Sequence, residues 1–421
     1  MHEPYRVKVV ESLPRVSPAS RRAALIAAGY NTFALDAGAV EIDLISDSGT
    51  GAMSAAQWSA MSAAREDFSG QQAHADFVAV ARSIFGFEHV QPVHQGRAAE
   101  NMLFRLLLRR GDVVLSNTLF ETTRANTEAL GAEARDLPEI SEPWCGDIDL
   151  HRLEGTLRRN RRVRLVVMTV TNNIMGGQPV SLDNLAAARA LADEHHVLLA
   201  LDASRFAGNA GMIKRLTGSR KSIRRLCRET FGHAHLAFLS LKKDGLANVG
   251  GVIAFSDGEL LEPLAHEIIR TESYPSAGGL AARDLAAMAI GLDEAVDDRT
   301  VLDHLDKVAF LAAELERRGA DVVHPIGAHG VAVRPPAGIE HTAHALAARI
   351  YLEGGVRAGV FNGQVRFAVP RRVFTRDHFA HVAEVVGRAC TRPLPRLECV
   401  HAPREFFSFF ARFEPARPIR G

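Results

Sequence analysis

Four runs of strand length are almost unbroken in hydrophobicity, and they constrain the fold of this chain more than any other feature. They are VVLSN (113–117), VRLVVMTVT (163–171), VLLALDAS (197–204) and HLAFLSL (235–241). A strand with one wet face alternates polar and apolar residues, whereas a continuous apolar run suits a strand covered on both faces. The intervening segments carry helical patterns, among them AAENMLFRLLLRR (98–110) and SLDNLAAARALADEHH (181–196). In the second, Ser181 is placed to cap the helix before Leu182, with Asp183 in its first turn. Strand and helix in alternation predict an α/β fold of right-handed crossover units around a mainly parallel sheet with helices on both faces.

The ends of the chain differ from this pattern. Arg21 to Ala28 predicts a helix stopped by Gly29, and AMAIGLDEAV followed by VLDHLDKVAFLAAELERRG leads into a separate α+β tail. The expected division is an N-terminal arm and part of a small domain over 1–45, a large domain over 46–290, and a small C-terminal domain over 291–421.

Charge and cysteine usage narrow the function. Lys plus Arg is 50 against 49 for Asp plus Glu, so the net charge of +1 lacks the basic excess of a phosphate-backbone binder, and nucleic acid is not an expected partner. Cys145, Cys227, Cys390 and Cys399 match neither a metal-ligand spacing nor a disulfide framework, which fits reduced thiols in a reducing compartment. The N-terminal residues lack the apolar stretch of a signal peptide, and no run of about 18 apolar residues occurs, so a soluble cytoplasmic protein is expected. Only six of the 50 basic residues are lysine, so each retained lysine asks for a reason beyond its charge.

Two strand ends and one loop before a helix could carry chemistry. In HLAFLSLKKDGLANVGG an apolar strand ends at Ser240, Lys242 and Lys243; such a pair is costly to desolvate unless an anion or a covalent partner meets it, the plain alternative being a solvated strand end. VLLALDASRF ends in Asp202 with Arg205 three residues on, either a carboxylate aimed into a ligand crevice or an internal ion pair. In QPVHQGRAAEN, the residues Gln95, Gly96 and Arg97 precede a helix, joining free N–H groups, a helix dipole and a guanidinium at one anion site. Together these meet the needs of pyridoxal phosphate: a lysine for a Schiff base, an acid for the ring nitrogen and a phosphate cup.

The motifs DSGTGAMSAAQW (47–58), HQGRAAEN (94–101), FETTR (120–124), NNIMGGQPVS (172–181), LDASRFAGNA (201–210), LSLKKDGLANVGG (239–251) and VRFAVPRRVFT (365–375) stand in the order and approximate spacing of the β-eliminating lyases. The chain thus resembles that family of tyrosine phenol-lyase and tryptophanase, from about Glu3 to the RFEP near the C-terminus. The resemblance implies a pyridoxal-phosphate enzyme of fold type I, with a seven-stranded-type, mainly parallel sheet, a smaller α+β domain and an L-amino-acid substrate. It implies that Lys243 carries the Schiff base and moves the α-proton, that Lys242 and Ser240 hold the phosphate with Gln95, Gly96 and Arg97, and that Asp202 pairs with the ring nitrogen. Arg205 and Asn173 would contact the ring oxygen, Phe120 would stack on the ring, and Arg371 would grip the substrate carboxylate. A monovalent cation, usually potassium, would bind the carbonyls of Gly49 and Asn248 and the carboxylate of Glu66, and the family's habit implies a homodimer or homotetramer. The plain alternative for Glu66 is an exposed helix carboxylate.

Three departures stand out against the family pattern. Phe68 replaces the tyrosine that serves as acid for the leaving aromatic ring, and a positioned acid contributes about 10²–10⁴ in rate. Glu121 follows Phe120 where the family has threonine or aspartate, as a relocated acid, a reader of a polar side chain or a structural hydrogen-bonding group. The stretch from Val356 to Arg366 is shorter than its family equivalent, which carries substrate-side-chain contacts. The aromatic tail EFFSFFARF (405–413) reads as strand core or as a segment near the site's mouth, and His329, His195 and His196 read as ordinary loop and helix residues. The expected activity is β-elimination releasing aminoacrylate, then pyruvate and ammonium, from a substrate other than tyrosine or tryptophan. The alternatives are an aminotransferase, a β- or γ-replacement enzyme, or a catalytically silent homologue.

Overall fold

The structure is a computed structural model that describes residues 3–416 except 175, 338 and 339, so one position of NNIMGGQPVS and the last five residues of the expected small domain lie outside it. The chain divides into two compact units, one formed by Met1–Asp47 with Asp306–Gly421 and the other by Ser48–Leu305.

The second unit is built on a seven-stranded sheet in the order His89–Val93, Gly251–Phe255, Leu236–Ser240, Leu198–Asp202, Val163–Thr169, Val113–Ser116, Glu133–Asp136. Gly251–Phe255 is antiparallel to both of its neighbours, and the remaining pairs are parallel. All four apolar runs are therefore strands of one sheet, and their side chains explain why the runs are continuous. Val166 and Met168 enter the core on one face, with Phe77, Phe206 and Leu226. Leu165 and Val167 enter the core on the other, with Leu103, Phe104 and Ile253. Leu239 and Phe238 split in the same way, so both faces of the strand interiors are lined by apolar side chains, and most of the polar residues, Ser116, Thr169, Asp202 and Ser240, fall at the strand ends.

Helices cover the sheet where their patterns place them. Leu182–Glu194 begins after Ser181, whose hydroxyl accepts from the Asn184 N–H, and Asp183 lies in its first turn. A buried amide fastens one further helix: Gln57, on Ala55–Ala63, donates to the carbonyls of Leu246 at 2.8 Å and Ala287 at 3.1 Å. Helix Ala282–Glu294 packs against Ala55–Ala63 and Gln72–Phe85 of the same unit. The second seam consequently falls at Leu305 rather than near residue 290, part-way along helix Asp298–Arg317.

The first unit carries a four-stranded sheet in the order Ile42–Leu44, Val356–Phe361, Gln364–Ala368, Gly330–Val333. The N-terminal arm enters this sheet as Ile42–Leu44, parallel to Val356–Phe361. The short 356–366 stretch is a tight hairpin: Phe361 pairs with Gln364 across Asn362 and Gly363, whose φ values of 48° and 70° match the left-handed turn that Asn-Gly favours. The first helix is Pro18–Ala27, capped by Ser17, and Gly29 follows at φ 60°. The aromatic tail is not one strand: Phe407–Phe410 forms a helical turn, and only Arg412–Pro415 is extended, pairing with Leu397–His401. Tight packing around the Phe413 ring ends the alternation that a strand through the whole tail requires.

Phe206 is fully buried, with its ring centroid 5.7 Å from that of Phe85 and 5.8 Å from that of Phe231. Phe206→Ala is expected to lower unfolding free energy by about 3–5 kcal/mol in a denaturant titration. Ile269→Ala, at an exposed helix position, should stay within about 0.5 kcal/mol of the parent.

Candidate active site

Parallel strands deliver their carboxyl ends to one edge of a sheet, and open α/β sheets bind ligands outside that edge. Here the edge receives Gln95 after His89–Val93, Lys242 and Lys243 after Leu236–Ser240, Asp202 at the end of Leu198–Asp202, Asn173 after Val163–Thr169, and Phe120 after Val113–Ser116. Residues up to about 150 positions apart in sequence are thereby gathered on one side of a single unit.

The anion cup is defined by close backbone approach. Gln95 caps helix Gly96–Leu107, so the first N–H groups of that helix have no partner within it. Gly96 lies so close to the end of the neighbouring strand that a Cβ on it would stand 2.6 Å from Ser240 Cβ and 2.7 Å from the Ser240 nitrogen. Gly251 meets the same loop from the other side, where a Cβ would fall 2.5 Å from the Gln95 carbonyl carbon. Ser240 is buried, and its hydroxyl accepts from the Lys242 N–H at 3.3 Å. Arg97 is exposed at the start of the helix.

Asp202 and Lys243 form the charged centre. Burial pushes the Asp202 carboxyl above the usual carboxylate range, while the Lys243 ammonium and then the buried Arg205 guanidinium pull it back down. A carboxylate that feels both cations is not explained by an Asp202–Arg205 pair alone, nor is Lys243 a simple solvated strand end. Ser204, which sequence reasoning passed over, joins these parts: its hydroxyl donates to Asp202 Oδ1 at 3.4 Å and accepts from the Ser240 N–H at 3.0 Å. Asp244, also missed, accepts from the Gly208 N–H at 2.7 Å and so ties the lysine turn to the helix after Arg205. The signal was present in both cases as a small or acidic residue beside the charged motif.

Phe120 caps helix Glu121–Ala129, and Glu121 is half-buried in its first turn. The loop that carries Phe120 is held by Asp136, which accepts from the Leu119 N–H at 3.0 Å. Fully buried Asn117 joins it to the next strand, accepting from the Thr169 N–H at 2.9 Å and donating to the Thr169 carbonyl at 3.1 Å. Asn173 is buried in the turn that follows that strand, and the Gly176 N–H donates to its carbonyl.

The remaining expected residues divide. Gly49 and Asn248 are neighbours: a Cβ on Gly49 would lie 3.7 Å from the Asn248 carbonyl oxygen and 2.7 Å from Lys242 Cε, and the Gly49 N–H donates to the Lys242 carbonyl. Glu66 is not an idle surface carboxylate, because it accepts from the N–H groups of Ala282 at 2.7 Å and Arg283 at 3.3 Å, at the start of helix Ala282–Glu294. Phe68 is 76% exposed in the isolated chain, its ring 5.8 Å from that of Tyr274. Arg371 belongs to the other unit, where it is buried beyond strand Gln364–Ala368. Among the described residues no cluster of His, Cys, Asp and Glu could hold a metal ion, and no helix is long and apolar enough to cross a membrane.

Known proteins are similar to this chain along most of its length. A sequence model described as beta-eliminating lyase matches residues 43–385. The chain is 40% identical to the tryptophanase of Hyphomonas neptunium, with 98% of each covered. It is 35% identical to the tyrosine phenol-lyase of Pasteurella multocida, again over 98% of both chains. Among solved structures, L-threonine transaldolase from Pseudomonas fluorescens superposes with a TM-score of 0.62 at 17% identity, covering 83% of each chain.

Gly96→Ala is expected to weaken binding of a phosphate monoester by about tenfold or more in calorimetry, since the added methyl displaces backbone at the cup. Gly232→Ala, where nothing lies within 4 Å of the new carbon, should bind as the parent does.

Proposed function

The chain belongs to the β-eliminating lyase family, and from that premise we propose that it cleaves a heteroatom-linked β-substituent from an L-amino acid, with tyrosine and tryptophan as poor substrates. The observation that carries the reading is the meeting of Lys243, Asp202 and Arg205 charges at adjacent strand ends, beside a glycine cup that a single Cβ would fill. Pyridoxal phosphate fits these residues, and when bound it supplies an electron sink for the α-carbon.

The protein's own groups then have separable tasks. The N–H groups of Gly96 and Arg97, with Gln95, Ser240 and Lys242, hold the phosphate, where a helix N-terminus favours negative charge. Asp202 would keep a proton on the ring nitrogen, Asn173 and Arg205 would hold the ring oxygen, and Phe120 would stack on the ring. Lys243, on the strand end beside Asp202, would hold the cofactor covalently, and its freed amine would take the α-proton. Arg371 offers a fork for the substrate carboxylate. The β-substituent leaves with its bonding electrons, needing a proton only where it departs through carbon, and the released aminoacrylate takes up water to give pyruvate and ammonium.

The leaving group follows from Phe68. Phenol and indole leave through ring carbon and need an acid to protonate it; a phenyl side chain has no proton to give, whereas a thiolate leaves without one. Glu121 is the acidic group in the first turn of the helix that Phe120 caps, and it serves a polar substituent in this reading. A potassium ion between the Gly49 and Asn248 carbonyls belongs to the same proposal, with Glu66 using the lone pairs left after its two N–H contacts. Assembly as a homodimer or homotetramer and a cytoplasmic setting complete the proposal.

The test is pyruvate release from a panel of S-alkyl cysteines, O-substituted serines, L-tyrosine and L-tryptophan. Pyruvate from the heteroatom-linked substrates alone is expected, and Lys243→Ala should abolish both that release and the cofactor fixed to the chain by borohydride. Keto-acid-dependent turnover without pyruvate would move the reading to an aminotransferase. Phe68→Tyr should raise the trace activity on L-tyrosine or L-tryptophan; an unchanged rate would transfer the exclusion from Phe68 to the short 356–366 hairpin.

A further inference from the structure

One buried acid beside the site has no task in the chemistry above. Glu100 lies one helical turn beyond Gly96 on the helix that opens at the cup, and only 5% of it is exposed. Its Oε2 accepts from the Thr123 hydroxyl at 2.7 Å, and its Oε1 accepts from the side-chain amide of Asn126. Asn126 in turn accepts from the Asn101 amide at 3.2 Å. Thr123 and Asn126 belong to helix Glu121–Ala129, whose first turn follows Phe120 and contains Glu121.

We propose that Glu100 is a positioning residue for the cofactor ring: it clamps the helix that begins at Phe120 and Glu121 to the helix of the phosphate cup, and it is the second carboxyl, with Asp202, that sets the charge at the ring-nitrogen end. The proposal rests on the cofactor reading given above.

The charged surroundings of Glu100 are few. On its own helix Arg97 favours the carboxylate, and from strand Leu198–Asp202 the carboxylate of Asp202 opposes it. Helix Glu121–Ala129 presents neutral Thr123 and Asn126 to it. Strands Leu236–Ser240 and Gly251–Phe255, which pack under the same helix, contain no charged residue. Helix Leu261–Thr271 meets it through Glu267, which pairs with Arg105 at 3.3 Å. Burial dominates this balance and pushes the Glu100 carboxyl up to about 7, against the Thr123 hydrogen bond, which favours the charged form. Below that pH Glu100 is neutral, and Asp202 faces no like charge from it. Above it, a second negative charge raises the proton affinity of Asp202 and of the ring nitrogen together.

Glu100→Gln keeps the shape and fixes the neutral state, with its amide oxygen accepting from Asn126 and its NH2 donating to a reoriented Thr123 hydroxyl. The visible absorbance of the bound cofactor in the holoenzyme should show an inflection near neutral pH that is absent from Glu100→Gln. Thr123→Val, which removes a bond favouring the charged form, should move the same inflection to higher pH. Full-chain thermal unfolding supplies a readout without turnover. An acid whose folded value lies above its unfolded value stabilises the fold below the unfolded value and loses that stabilisation as pH rises to the folded one. The melting temperature of Glu100→Gln relative to the parent should therefore climb between pH 4.5 and about 7. An inflection that is unmoved in both variants overturns the proposal alone. A parent protein that shows no cofactor band overturns the cofactor reading and this proposal with it.

Discussion

A carboxylate that has lost much of its water must find compensating charge, and the large unit is arranged around that need at Asp202. The compensation comes from Lys243 on the neighbouring strand end and from Arg205 on the loop that Asp202 itself begins. These cations can reach Asp202 only because two strands run parallel and end together. That in turn requires the strands to be buried on both faces, which is what their continuous apolar sequences encode. Electrostatics at the edge and hydrophobicity in the middle are thus two requirements on one piece of backbone.

Around this centre, buried polar side chains supply rigidity that packing alone would not. Ser204 links Asp202 to Ser240, Asn117 sews two loops together, and Gln57 holds the lysine loop by the Leu246 carbonyl. Gln57 and Asn117 are fully buried and Ser204 is half-buried, and for such groups an unmade hydrogen bond costs about 1–3 kcal/mol. Such groups penalise every arrangement except the one that satisfies them, and so they hold ligand-facing atoms in place.

The strands and the large unit's charged edge were legible because their signals are local: continuous apolar runs, a serine cap before an amphipathic stretch, and charged residues at strand ends. The polar fasteners were not, since the partners of Gln57 lie 189 and 230 residues away, and nothing near it in sequence announces them. Glu66 is instructive in the same sense. Its type and position suited a cation ligand, while the structure shows the carboxylate engaged with the first N–H groups of a helix more than 200 residues on. The aromatic tail misled because Phe recurs at spacings that suit both a strand and a single helical turn, and the choice is made by contacts with His344 and Phe413. The C-terminal seam could not be read from composition either, since it falls inside one uninterrupted helix.

The hairpin at Asn362 and Gly363 bears on how such a chain diversifies. Its turn has open space around it, with nothing within 4 Å of where a Gly363 side chain would begin. The strands on either side are zipped by their own ladder and do not depend on the turn for burial. Extra residues inserted there cost little more than loop-closure entropy, about 0.6 kcal/mol for each doubling of length. A lineage can therefore lengthen or trim this corner without renegotiating the core of its own unit, and a protein engineer can use the same corner to carry an inserted segment.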